Sequence, residues 1–595
     1  MTTTDPEGPE GSTEGGSTLA RYLRTHTNPP VFLVSGVVVL AFLAVGALFP
    51  DGTSGVFSAL LGGISRYFGW FYILAATGFL VFALYLMVSK YGRIKLGPDD
   101  AAPEYGTTAW FAMLFTAGMG IGLVFYGVYE PAYHTMNPPT GPAGTPEAAE
   151  RGMNYTFYHW GLHPWAIYIV LGLAMGYFCF RKGLPMRPAS ALYPLLGQRV
   201  FRWPGAVVDI LAVFGTLFGL ATSLGLGSQQ IGSGLNQLTG LPNTTTTQVL
   251  VVCAITAVAV VSVMLGVDKG IRRLSLANLW LAFALMVFVF AVGPKMFVLT
   301  GLADWTGYYL QNIIGTSFTV FNPDSQPAAF DWQASWTLFY WGWWMSWAPF
   351  VGMFIARISY GRTVRQFVSG ALLAPVGASI VWFSVLGGTG LAQQLSGQAD
   401  IAGGSSESSL FTVLSTLPVG GVVAAIASVL AIVVVVLFFA TSSDSGSLVV
   451  DMLTNGGDPH PVWQQRLFWA LMEGAVTIVL LLIGGAAALD ALQAASITTG
   501  LPFAVVLILM AIGVLKALRA DPAVTDGGPV VLSDTEGGGY RPGHDRGEEE
   551  TDPASETADG TEPSGSSAVP DGPRHAAEDT SDDGVGQPVR GGAQA

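Results

Sequence analysis

The sequence predicts an all-α integral membrane protein of twelve transmembrane helices, and three observations lead there. Of its 595 residues, 51% are hydrophobic and only 11% charged, where soluble chains carry roughly 25% charged residues. Twelve apolar runs stand near 30–49, 69–89, 108–130, 156–180, 206–230, 247–266, 275–298, 334–357, 366–392, 418–443, 466–488 and 492–516. Each can cross a hydrocarbon core of about 30 Å, which takes about 20 helical residues. With a cytoplasmic N-terminus, KYGRIK, RKGLPMR, DKGIRR and ARISYGRTVRQ all fall inside, and 23 of the 26 Lys and Arg lie on that side; only Arg66, Arg151 and Lys295 fall outside. A miscounted span would scramble the bias downstream, so the pattern predicts twelve spans with both termini cytoplasmic.

The two ends read as tails. Residues 1–29 are rich in Gly, Ser, Thr, Pro and Glu. The first apolar run is long enough to span, so the start predicts a disordered segment and no cleavable signal. The net charge of −14 is local: from Ala520 onward 17 Asp and Glu face 4 Lys and Arg, which leaves the body at −1. Acidity therefore belongs to a disordered C-terminal tail, residues 518–595, and marks neither a substrate path nor a nucleic-acid surface. Cys179 and Cys253 lie in apolar runs, with no disulfide framework or zinc spacing. No nucleotide loop, metal set or soluble catalytic domain is evident in the sequence, so neither an enzyme nor a cofactor is expected.

The eighth run is the most unusual. Six of the sixteen tryptophans fall between Trp332 and Trp347, and Trp341, Trp343, Trp344 and Trp347 sit inside WTLFYWGWWMSWAPFVGMFIAR. A lipid-facing helix uses Leu, Ile and Val, and an interfacial belt places Trp at its ends. On a helix Trp343 and Trp347 share a face, with Trp344 beside it. Such a wall suits a cation that cannot donate hydrogen bonds, a quaternary ammonium; tight aromatic packing is the plainer alternative. Gly342 and Pro349 predict that the backbone opens within this run.

The third run, TAWFAMLFTAGMGIGLVFYGVYEP, alternates Gly118, Gly120 and Gly122. Three glycines cost roughly 1 kcal/mol each against Ala in a helix interior, but they permit unwinding and close approach. The spacing fits neither small-residue helix packing nor a dinucleotide or phosphate loop. An unwound turn here would expose carbonyls and half-helix ends at mid-membrane. Most of His159, His163, Asp209, Glu130, Arg357, Asp444, Asp451 and Glu473 are expected near span ends, within reach of water, with Glu130 closing the outer end of the third span and Asp444 the inner end of the tenth. His159 and His163 share the i, i+4 spacing of a metal pair, but no third ligand is evident.

GMGIGLVFYGVYEP (118–131), HWGLHPWAIY (159–168), WTLFYWGWWMSWAPFVGMFIARISYGRTVRQF (336–367) and FFATSSDSGS (438–447) occur in the order found in the betaine/carnitine/choline transporter (BCCT) family, which the body from about 30 to 517 resembles. The resemblance implies a LeuT-like core of two inverted five-helix repeats, residues 108–298 and 334–517, preceded by two peripheral helices within 30–107 and joined by an extracellular segment, 299–333. It implies an aromatic box of Trp160, Trp165 and Tyr168 with Trp343, Trp344 and Trp347, with Trp341 near the outward path. Backbone at Gly118, Met119 and Gly120 would meet a substrate carboxylate. A sodium site would use carbonyls of Thr116, Met119 and Phe438 with hydroxyls of Thr441 and Ser442, and a second position would lie near Thr216 and Phe350. A homotrimer in the cell membrane follows by the same resemblance.

The implied function is import of a trimethylammonium compatible solute, foremost glycine betaine, by sodium symport for osmoprotection. The chain keeps Gly122 where some proton-coupled choline carriers place an acid, and residues 204–266 hold no Lys or Arg of the kind that fills the cation sites of sodium-independent exchangers. The competing expectations are a proton-coupled choline or carnitine carrier or a precursor/product exchanger of the same fold, and a betaine-binding osmosensor that transports nothing. The acidic tail departs from the basic C-terminal helix of osmotically regulated relatives.

Overall fold

Helices follow the apolar runs and extend beyond them. The computed structural model describes residues 18–525 except Met119, Gly266, Val267, Pro461, Ala486 and Ala487, with backbone alone at 18–20, 115–118, 265, 268–274 and 525. Both predicted tails, apart from their inner ends, lie outside the described residues. The helices are α1 (Thr18–His26), α2 (Pro29–Leu48), α3 (Pro50–Val88), α4 (Thr107–Gly118), α5 (Ile121–Met136), α6 (Pro146–Trp160), α7 (Leu162–Met175), the short α8 (Tyr193–Leu196), α9 (Trp203–Thr239), α10 (Thr245–Leu265) and α11 (Asp268–Val292). In the second half come α12 (Lys295–Ser317), α13 (Pro327–Gln333), α14 (Phe339–Arg357), α15 (Val364–Trp382), α16 (Gly388–Leu395), α17 (Ser409–Thr416), α18 (Gly421–Thr454), α19 (Trp463–Gly484), α20 (Ala488–Arg519) and α21 (Pro522–Thr525). Among the described residues no β-strand forms, and one isolated bridge pairs Lys95 with Thr363.

Among the described residues ten segments are long and apolar enough to cross a membrane. The two predicted spans outside that set are the third, divided between α4 and α5, and the tryptophan-rich eighth, α14. Broken backbone and polar-edged indoles lower their apolar length; α5 and α14 lie in the interior, whereas α4 is largely exposed over its described residues. The long helix α9 packs against α14, α18, α19 and α20, while α14 also packs along α7.

Several expectations need correction. The eighth span does not open at Gly342 or Pro349: α14 is continuous through both. Gly342 serves close approach instead, since a Cβ there would stand 2.7 Å from Ile497 Cα of α20. The ionisable groups are not in reach of water: Glu130, His159, His163, Asp209, Asp451 and Glu473 are fully buried, Asp444 nearly so, and only Arg357 is exposed. Neighbouring helices cover them. Asp444 does not end its span either, because α18 runs on to Thr454. The segment 299–333 contains most of α12, which packs on α6.

A polar clasp lies just past the last span. Asp521 is fully buried and accepts from Arg181 Nε (2.9 Å) and Nη2 (2.8 Å), Tyr177 Oη (2.6 Å) and Lys182 Nζ (3.2 Å). Burial alone would raise its pKa, but these hydrogen bonds and the two cations outweigh it and hold the carboxyl well below the ordinary range. A depressed carboxyl contributes stability that is present above the unfolded value and lost as pH falls through the folded one. Asp521→Asn is expected to lower the melting temperature in detergent at pH 7, each charged hydrogen bond being worth about 1.5–3 kcal/mol. The wild-type advantage should shrink as pH drops below about 4; a difference independent of pH would remove the charge from the explanation.

Candidate aromatic substrate site

The site begins with a break. Helix α4 ends at Gly118, and Gly120 takes an extended conformation (φ −148°, ψ −178°) as the residue before α5. The first amides of α5 therefore lack helical carbonyl partners and face the space beside Gly120, an arrangement favourable to anions.

Opposite lies a single cavity lined by Gly120, Gly122, Leu123, Trp160, Pro164, Trp165, Tyr168, Ser223, Trp343, Trp344, Trp347 and Ser379. It encloses about 30 Å³ of free space, room for one or two waters. The rings must therefore part to admit a larger guest. All six aromatic residues expected for the box converge here. Trp343 and Trp344 stack at 4.6 Å between centroids. Trp160 meets Trp344 edge to face at 5.0 Å. Tyr168 contacts Trp165 at 5.6 Å, Trp344 at 6.3 Å and Trp347 at 6.5 Å. Offset and edge-to-face contacts at these distances hold the rings in place around the cavity.

Hydrogen bonds fix three of the indoles. Trp160 Nε1 donates to Glu130 Oε2 (2.7 Å), Trp343 Nε1 to the Gly219 carbonyl (3.2 Å) and Trp344 Nε1 to the His159 carbonyl (2.9 Å). Trp347 Nε1 and Tyr168 Oη are buried without a partner among the described residues. Orphaned donors beside a cavity are available to a ligand.

Other expected residues are placed differently. Trp341 does not line the cavity; it stacks on His163 at 5.7 Å and meets Tyr158 at 4.9 Å. Two positions before Trp343 is about 200° around a helix, hence the far side. Met119 lies outside the described residues, as do the side chains of Thr116 and Gly118, so the first sodium set is represented by α18 alone. There Thr441 Oγ1 donates to the carbonyls of Leu437 (2.8 Å) and Phe438 (3.3 Å), ordinary back-bonding; Ser442 follows it, half-buried. Thr216 of α9 is buried with no hydroxyl partner among the described residues. Phe350 of α14 stacks on Trp347 at 5.4 Å. His159 and His163 do not form a pair: His163 Nε2 meets Ser317 Oγ (2.9 Å), and His159 turns to Glu130. Sequence reasoning missed Pro164, Leu123, Ser223 and Ser379, whose residue types carry no signal inside an apolar run. Gly122 was legible from the glycine alternation.

A multi-span helical protein whose interior holds a broken helix against a ring of indoles has the architecture of a membrane transporter, not an enzyme. Comparison specifies the class. The family model for BCCT, betaine/carnitine/choline family transporter, matches residues 30–523, and the chain belongs to that family. It is 42% identical over 494 residues to a probable glycine betaine transporter of Desulfitobacterium hafniense, covering 82% of this chain and 97% of that protein. It is 42% identical over 492 residues to the glycine betaine transporter OpuD of Bacillus subtilis, covering 82% and 94%. A glycine betaine/proline/choline transporter of Vibrio parahaemolyticus is 42% identical over 513 residues, covering 83% and 91%.

Gly122 offers a direct test of the geometry. A Cβ there would stand 2.7 Å from Trp160 Cη2 and 2.8 Å from Trp343 Cη2. Gly122→Ala is expected to push both rings out of register and weaken onium binding about tenfold, ~1.4 kcal/mol, measured by titration of intrinsic tryptophan fluorescence. Unchanged affinity would show that the rings yield freely.

Proposed function

We propose that this protein imports a zwitterion with a trimethylammonium head, glycine betaine first among them, by sodium symport with alternating access, and so serves osmoprotection. One observation carries the reading: six aromatic residues on α6, α7 and α14 surround one cavity that opens on the N-terminus of α5. The rings suit a permanently methylated nitrogen. The free amides at Gly120, with Trp347 Nε1 and Tyr168 Oη, suit the carboxylate. All three relatives are named as transporters of glycine betaine, one of them also of proline and choline.

The contracted cavity supports a cycle in which substrate parts the indoles and their closure around it precedes release on the other side. Sodium bound between the broken third span and α18 would join substrate binding to closure. Support for sodium is chemical: a hard cation takes oxygen ligands, the hydroxyls of Thr441 and Ser442 on α18 supply oxygens for the first position, and the unpartnered hydroxyl of Thr216 on α9 supplies one for the second. One sodium moving inward gains about 2.3 kcal/mol per 100 mV, and a zwitterion adds no charge, so the cycle carries current. The same reading has both termini cytoplasmic and the chain in the cell membrane as a homotrimer.

Uptake of labelled glycine betaine into proteoliposomes is expected only with an inward sodium gradient, with excess unlabelled betaine competing more strongly than choline, carnitine or ectoine. Uptake driven by a pH gradient without sodium would contradict the coupling, and binding without uptake would contradict transport. Trp347→Leu is expected to weaken betaine binding by about 1–2 kcal/mol with folding retained. Unchanged affinity would leave Trp347 a packing residue.

A further inference from the structure

Behind the aromatic box, outside the cavity lining, sits a carboxylate that the reading above does not use. Glu130 lies on α5, fully buried. Four donors converge on it. Trp160 Nε1 (2.7 Å) and Tyr340 Oη (2.6 Å) donate to Oε2, while His159 Nδ1 (2.6 Å) and His134 Nε2 (3.2 Å) lie against Oε1. Two of these donors lead straight to the box. Trp160 is one of its rings. Tyr340 stacks beneath two others, 5.7 Å from Trp344 at 21° and 6.3 Å from Trp343 at 20°. One carboxylate thus ties the wall from α6 to the wall from α14.

The charge of this cluster follows from its partners. Both oxygens are saturated by donors, as an ionised carboxylate taken out of water requires. Among the described residues no Lys or Arg pairs with it. Among the described residues the basic side chains that meet it are His134 and His159. His134 Nδ1 has no hydrogen-bond partner among the described residues, so an imidazolium there would bury an unpaired N–H. His159 Nε2 meets the Thr337 hydroxyl (3.0 Å), which can donate to a bare ring nitrogen. With the protons on His159 Nδ1 and His134 Nε2, neutral imidazoles satisfy every contact of an ionised Glu130, and in that arrangement the cluster carries one net negative charge. Glu130, His134 and His159 hold their ligand atoms within 4.8 Å of one another. Each atom facing Glu130 already sits at hydrogen-bond distance, and the second carboxylate oxygen is occupied by an indole and a phenol, so a hydrogen-bonded hub accounts for the geometry where a metal would have to break it.

We propose that Glu130 is a positioning and charge-selecting residue of the transport site: it fixes Trp160 and Tyr340, and its negative charge, one ring behind the cavity, makes the box prefer a cationic head over a neutral one of the same shape. This rests on the aromatic box being the onium site. In a site shielded from water a charge in the plane of Trp160, beyond its Nε1 edge, still acts across the ring's width, adding to the attraction of the indole rings.

The test compares glycine betaine with 3,3-dimethylbutanoate, which keeps the shape and the carboxylate but has carbon in place of the charged nitrogen. Both are titrated against the purified full chain by tryptophan fluorescence. Glu130→Gln keeps the size and an acceptor but removes the charge. Betaine affinity is expected to fall about tenfold, ~1.4 kcal/mol, while affinity for the neutral isostere changes less than twofold. An equal loss for both ligands, or no loss for either, overturns the proposal. If Glu130→Gln is not recovered folded, Glu130→Asp decides. It keeps the charge but withdraws the acceptor from Trp160, so both affinities are expected to fall with the preference for betaine retained; loss of the preference, or two unchanged affinities, overturns it. A wild-type protein that fails to bind betaine overturns the underlying reading and this inference with it.

Discussion

A methylated ammonium offers a protein nothing to hydrogen-bond, and in a bilayer it cannot remain in water. Under the proposed function, aromatic rings resolve that constraint, and much of this structure serves to assemble them. Indoles are large and carry an N–H that must be satisfied when buried. Trp160, Trp343 and Trp344 each find an acceptor on another element, respectively the Glu130 carboxylate, the Gly219 carbonyl and the His159 carbonyl. Those bonds turn four helices into one frame: α5, α6, α9 and α14. The rings can then be edge-on to one another and still open toward the same small space.

Room for so many rings is made by removing side chains elsewhere. Gly122 lets Trp160 and Trp343 close over the start of α5, Gly219 lies under Trp347, and Gly342 brings α20 against the back of α14. The broken third span is the complement of this crowding. It brings backbone amides to the cavity where a continuous helix would offer only side chains. Aromatic wall and free amide ends together match the two ends of a zwitterion.

How much of this was legible in the sequence depends on the range of the interaction. The tryptophan cluster and the alternating glycines are local signals, and they pointed to Trp343, Trp344, Trp347, Gly120 and Gly122 of the cavity lining, while Trp160, Trp165 and Tyr168 came from the family resemblance. Most spans were legible from apolar runs, though α3, α6 and α18 extend well past them, because a helix end covered by its neighbours need not be apolar. Pro349 and Gly342 misled: a helix breaker inside a packed bundle can be absorbed without opening the backbone, and nothing local distinguishes that case. Glu130 was misplaced at a wet helix end, because its four donors come from α5, α6 and α14, up to 210 residues away. Ser223 and Ser379 were invisible for the same reason. Trp341 was assigned by motif, and helical phase sends it to the far side.

The account stands or falls on where the onium group rests. A structure determined with glycine betaine bound measures this most directly. The account predicts the trimethylammonium nitrogen within about 6 Å of the ring centroids of Trp160, Trp343, Trp344 or Trp347, with the carboxylate toward Gly120. A ligand whose methylated nitrogen lies outside these rings would contradict it.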